Sequence, residues 1–174
     1  MNYLGLDLSL TATGWATMNT AGGYNVGTFG DNTTDHISLR LRRWAGHLNH
    51  VIPYSRDVII VIEDLPHAVK HGGPALGMVH AMFWKTIGER SINHETVIAV
   101  PPATLKQYAT GKGNASKSLV LVEAVKRLGY DGHDDNEADA LWLADMGARL
   151  DGFYRNPMPA AHLRALDKLK PKAA

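Results

Sequence analysis

Apolar and polar positions change period several times along the chain, and each change marks an element. Between Tyr3 and Leu8 they alternate, with Leu4, Leu6 and Leu8 on one face and Gly5 and Asp7 on the other. That pattern predicts a strand carrying an acid near its end. "SLTATG" supplies turn chemistry, and "WATMN" and "YNVGTF" read as two short strands joined through Ala21, Gly22 and Gly23. From about Asp35 to Val51, the residues Ile37, Leu41, Trp44, Leu48 and Val51 recur at helical spacing, and Pro53 ends that helix. "DVIIVIED" is a continuous β-branched run, predicted as a central strand covered on both faces that delivers Glu63 at its end. Pro74 then opens a helix over "ALGMVHAMFWKTIGER". Its apolar arc is too wide for one buried stripe, so part of it is expected to bury against a second subunit. "ETVIAV" gives a fifth strand, stopped by Pro101 and Pro102. Residues 114 to 128 form a helix with Leu121, Val122, Val125 and Leu128 inward and Gly129 at its end. A last long helix starts in "HDDNEADALW", and "AAHLRALDKL" predicts one short helix near the end of the chain.

Three antiparallel strands followed by alternating helices and strands predict an α/β fold, a mixed five-stranded sheet with three antiparallel strands and then two parallel ones, flanked by helices. The length of 174 residues suits one domain with a real core, over residues 1–150, followed by a basic tail over 151–174. A hydrophobic content of 45% with 20% charged residues excludes bulk disorder. No cysteine is present, so disulfides and thiolate metal sites are excluded, and any metal must sit on oxygen or imidazole. No leader-like or membrane-length apolar run is seen, and a cytoplasmic protein without membrane attachment is expected. Residues 149 to 174 carry six Lys or Arg against two Asp, which leaves the rest of the chain at −3 with its acids clustered. Such a tail reads mainly as a solvated end and secondarily as a polyanion contact.

The acids carry the chemistry. Asp134 and Asp135 fit a helix N-terminus, where exposed N–H groups favour carboxylates. Asp139 does not, because Leu141, Leu143, Ala144 and Ala148 imply a buried helix and a carboxylate one turn inside it needs a partner. Asp7 and Glu63 lie at strand ends, and if those strands are neighbours the last helix can bring Asp139 to them. Three converging carboxylates call for hard divalent cations such as magnesium or manganese. "GKGNASKS" resembles a phosphate-binding loop, but Ser116 stands at its second glycine and no strand runs directly into it, so no nucleotide cofactor is expected. His67, His71 and His80 match no zinc spacing and are expected at the surface, and His133 reads as a turn residue. Met78, Met82, Phe83 and Trp84 are expected in the core or in a dimer contact.

The segments "GLDLSLTATGWA", "VIEDLPHAVK", "TLKQYATGKGNASKSLV" and "DDNEADALWLA" occur in the order and spacing of the RuvC family, and over roughly residues 2 to 150 the chain resembles a RuvC-type Holliday junction resolvase. The resemblance implies an RNase H-like fold, a homodimer and branched DNA, the four-way junction, as partner. It also implies magnesium, with manganese as a substitute and two ions per active site, for an in-line hydrolysis that leaves 5′-phosphate and 3′-hydroxyl ends at symmetric positions. Asp7, Glu63 and Asp139 match family metal ligands. Lys106 and Lys117 match basic residues near the cleaved strand, with Lys117 adding charge at the transition state. Lys112, Ser9 and Thr11 are expected as further DNA contacts. Two departures stand out. The family usually has Asp or His three residues before the last aspartate, where this chain has Asn136, so Asp135 is expected to supply that carboxylate, with Asn136 as a weaker oxygen ligand. The aromatic wedge that often follows the second acid is replaced by Pro66 or His67. Small, cysteine-free members without an evident wedge occur among phage relatives, which would place the protein in a host cytoplasm. Other readings are a nuclease with broader taste for branched or flapped DNA, a silent junction-binding protein favoured by Asn136, and an actin-type ATPase, which needs a longer chain.

Overall fold

The computed structural model describes residues 2–54, 57–65, 73–153 and 156–169. Strands β1 (Asn2–Asp7), β2 (Thr13–Asn19) and β3 (Tyr24–Phe29) form an antiparallel meander, and β4 (Val58–Glu63) and β5 (Val97–Val100) add in parallel, in the order β3-β2-β1-β4-β5. The register sets Leu6 beside Ile62 and Asp7 beside Gly14, so the carboxyl ends of β1 and β4 lie next to each other. The helices are α1 (Ile37–Val51), α2 (Gly73–Glu89), α3 (Pro102–Thr110), α4 (Lys117–Leu128), α5 (Asp135–Leu150) and the single turn α6 (Ala160–Leu163). None of the described helices is long and apolar enough to cross a membrane.

The strand alternation sorts side chains into two cores. On one face Leu4, Leu6 and Leu8 of β1 and its turn meet Trp44 and Leu48 of α1 and Val79, Phe83 and Ile87 of α2. On the other face Tyr3, Ala16, Met18 and Val61 meet α5, with α3 and α4 packed beyond it. This second face is built for close approach. A Cβ on Gly5 would lie 2.0 Å from the Ala140 carbonyl oxygen, and one on Gly14 would lie 2.0 Å from that of Asn136. Glycine at both positions lets the α5 backbone lie directly on β1 and β2.

Three features depart from the pattern-based expectation. Helix α3 replaces a connection, burying Thr104, Leu105, Tyr108 and Ala109. Helix α4 turns Val120, Ala124 and Leu128 inward, while Val122 and Val125 are 42% and 47% exposed. The expected inward set was wrong for those two valines, because α5 and α3 claim the adjacent face of the helix. The segment after α5 is not a loose end over residues 156–169. Ala165 and Leu166 join the α5 core, the buried His162 ring pairs through Nδ1 with the Tyr108 carbonyl (2.7 Å), and Lys168 donates to Gln107 (2.9 Å).

Candidate active site

Each acid is carried by an element whose local sequence explains its position. Asp7 ends β1, and the turn that follows is locked from within. The Thr13 hydroxyl donates to the Ser9 carbonyl and accepts from the Ser9 N–H, and the Trp44 indole donates to both the Ser9 carbonyl and Thr13 Oγ1 at 2.9 Å. Glu63 ends β4, and the Asp64 N–H after it donates to the Val100 carbonyl, tying that end to β5. Helix α5 starts at an Asp134 cap, whose carboxylate accepts from the N–H groups of Asn136 (2.8 Å) and Glu137 (3.3 Å). The Tyr130 hydroxyl holds this start by donating to Glu137 Oε2 (2.7 Å) and accepting from the Asp134 N–H (3.2 Å). One turn on, Asp139 is buried at 6% exposure, delivered to the sheet by the glycine approach at Gly5 and Gly14.

The electrostatics show which groups the fold brings together. Burial pushes Glu63 up to about 8, reinforced by the charges of Asp7 and Asp139 and opposed by Lys117 and Lys106. Burial likewise pushes Asp139 up to about 7, with Asp7 adding to the rise and Lys117 opposing it. Asp7 rises to about 6 through burial, against Lys117 and with Asp135 and Asp134. Three acids that resist ionisation chiefly through burial, and through the charge of neighbouring carboxylates, form a site that demands positive charge. Lys117, the first residue of α4, supplies some of it. Its Nζ lies 3.2 Å from Asp135 Oδ2 and 3.9 Å from Asp139 Oδ2. Burial works against its charge, but Asp139, Asp135 and Asp7 hold its proton more tightly than in free lysine.

The structure thus gathers Asp7, Glu63, Asp135, Asp139, Lys106 and Lys117. Asp135 and Asp139 share the α5 face that Lys117 spans. Asn136 is half-buried, with its carbonyl against Gly14. Ser9 and Thr11 sit in the turn after β1 with their hydroxyls 3.3 Å apart. Lys112 is exposed on the loop between α3 and α4 and forms no ion pair among the described residues. The donor set is all oxygen, which fits a hard divalent cation, although no three His, Asp or Glu among the described residues close around one point. His80 is buried on α2 rather than at the surface, while Pro66, His67 and His71 fall outside the described residues. A pocket of about 250 Å³ at the opposite end of β1, lined by Asn2, Thr17, Asn25, Val51 and Pro53, contains no charged group.

One buried network beside the site was not anticipated. The Tyr108 hydroxyl donates to Asp145 Oδ2 (2.5 Å) and accepts from Arg149 Nε (2.8 Å), and Arg149 also donates to the Asn156 carbonyl (2.9 Å). The signal was present as an Asp and an Arg four residues apart in the otherwise apolar stretch from Ala140 to Leu150. The network registers α3, which carries Lys106, against α5, which carries Asp139.

No family model matches the chain, and no characterised protein matches it by sequence. Solved structures do. The fold is similar to a Thermus thermophilus RuvC structure with a TM-score of 0.69 and 19% identity, covering 88% of this chain and 98% of that one. It is similar at a TM-score of 0.67 and 17% identity to T. thermophilus RuvC in complex with a Holliday junction substrate, covering 88% of this chain and 97% of that one. The likeness extends over nearly the whole of those proteins, so this chain, a mixed five-stranded sheet flanked by helices, has a RuvC-like, RNase H-like fold.

Proposed function

We propose that the protein is a structure-selective endonuclease that resolves four-way DNA junctions by paired nicking. The observation that carries this reading is the convergence of Asp7, Glu63 and Asp139 at adjacent strand ends, facing Lys106 and Lys117, in a RuvC-like fold. Asp7, Glu63 and Asp139, with Asp135 or Asn136, would hold magnesium or manganese. When bound, these ions supply charge neutralisation at the phosphate and a more acidic water. The chain's own groups do the rest. The carboxylates fix where that positive charge would sit, and Lys117 and Lys106 offset charge that develops on the phosphodiester. Ser9, Thr11 and Lys112 contact the flanking backbone. The Tyr108–Asp145–Arg149 network holds α3, which carries Lys106, against α5.

A homodimer gives the paired nicks. The exposed face of α2, with Gly77, Met78, Ala81 and Trp84, supports that pairing, since its glycines, Gly77 and Gly88 among them, have open space beyond their backbones. Residues 1–150 then make up the nuclease domain, and the basic segment that follows anchors on α3.

The test follows a labelled four-way junction with magnesium, comparing the wild-type protein with Asp7→Asn and using linear duplex and flap controls. Paired nicks in the junction, lost in the variant by at least about a thousandfold, are expected. Equal cleavage of flaps would broaden the substrate class, and binding without cleavage in magnesium and manganese would overturn the enzyme.

A further inference from the structure

Lys117 occupies an unusual place for a residue whose expected target is DNA. Its ammonium is within ion-pair distance of two carboxylates, Asp135 at 3.2 Å and Asp139 at 3.9 Å, and the second of these is almost fully buried. Its backbone is fixed, because Ser116 caps α4 by accepting from the Leu119 N–H (3.3 Å). Its side chain is not, being 54% exposed on a four-carbon stem. The oxygens it engages belong to the same group that a divalent cation would need. An ammonium and a divalent cation cannot share them at contact distance without strong repulsion.

We propose that Lys117 is the resident counter-ion of the carboxylate cluster, held between Asp135 and Asp139, and that a divalent cation displaces it and so frees its ammonium for a DNA phosphate. The inference rests on the reading of these acids as cation ligands. It gives Lys117 two sequential partners and makes its availability to DNA depend on cation loading. Lys106 serves as an internal control. It also acts on Glu63 and Asp139 through its charge, yet it makes no ion pair with either among the described residues.

The experiment uses the full chain without DNA. Magnesium is titrated calorimetrically into wild type, Lys117→Met and Lys106→Met, and the side-chain ammonium of Lys117 is followed by nitrogen-detected NMR. Lys117→Met is expected to bind magnesium roughly tenfold more tightly than wild type, and Lys106→Met about twofold. The wild-type Lys117 signal is expected to shift as the cation binds and the ammonium leaves the carboxylates. Wild-type binding with no tightening in Lys117→Met, or equal tightening in both variants, overturns the inference and leaves the nuclease reading intact. An unchanged Lys117 signal at saturating magnesium also overturns it. Failure of all three proteins to bind magnesium overturns both.

Discussion

The two faces of the sheet solve packing in opposite ways. Toward α1 and α2, β1 presents Leu4 and Leu6, and the space is filled by Trp44 and Phe83. Toward α5 it presents Tyr3, Gly5 and Asp7, and the helix answers with Ala140 and Ala144. The large-residue face is held by area and tolerates small shifts of its helices, because bulky side chains can repack. The small-residue face sets a backbone-to-backbone distance, and that distance decides where Asp139 stands relative to Asp7. Both faces bury large side chains away from this seam, but only the α5 face sets the geometry of the acids.

This contrast can be broken most sharply at Gly5 and Leu6, neighbours that point to opposite faces. Gly5→Ala puts a methyl 2.0 Å from the Ala140 carbonyl oxygen, backbone that cannot rotate away. It is expected to cost about 4 kcal/mol or more in urea unfolding and to abolish cleavage in whatever remains folded. Leu6→Ala is expected to cost about 3 kcal/mol through a cavity, while the folded fraction keeps its cleavage rate. Equal loss of cleavage per folded molecule in both variants would show that the two faces do not divide the work in this way.

A smaller effect lies in pH. Asp7, Asp139 and Glu63 titrate near 6, 7 and 8 in the fold against 3.8, 3.8 and 4.5 in free chains. Folded-state values raised in this way mean that the folded protein holds more protons than the unfolded one, so their contribution is fully present below about pH 4 and is lost as pH rises to about 8. Without divalent cation, urea stability should therefore fall across that window. In Asp7→Asn the fall should be shallower, leaving the variant more stable than wild type by roughly 1–2 kcal/mol at pH 8 after allowing for coupling among the acids. A variant that tracks wild type at every pH would contradict the repulsion among these acids.

The smallest effect tests the sorting of α4. Val125→Ser, at an exposed position, should change stability by less than about 0.5 kcal/mol by thermal unfolding. A cost of several kcal/mol would mean that α4 buries the face expected from its sequence.

That α4 error shows where the sequence was legible and where it was not. Leu4, Leu6 and Leu8 revealed β1 because a sheet with two different faces imposes a period of two. Three antiparallel strands followed by two parallel ones could be read from the run of elements, while the pairing of β1 with β4 entered only as a condition that the structure meets. Helix α4 instead contains "LVLV", four successive apolar residues that fit two helical registers, and only packing against α3 and α5 selects between them. Helix α3 escaped notice because it is nine residues long, one proline precedes it and another opens it, and its buried set includes the polar-tipped Thr104 and Tyr108. The acids at the site stood out as charges in apolar surroundings. The position of Lys117 did not, since nothing in a lysine's type or spacing says which carboxylate it will face.

The hydroxyl of Tyr3, in the central strand, donates to Asp151 at 2.8 Å, a partner 148 residues later. During synthesis, a nascent chain that has exposed β1 to β3 must therefore wait for α5 to clear the ribosome before its small-residue face is covered. The meander can form early, but until then it keeps a bare groove over Gly5 and Gly14, beside the Asp7 carboxylate, even after Lys106 and Lys117 have been made.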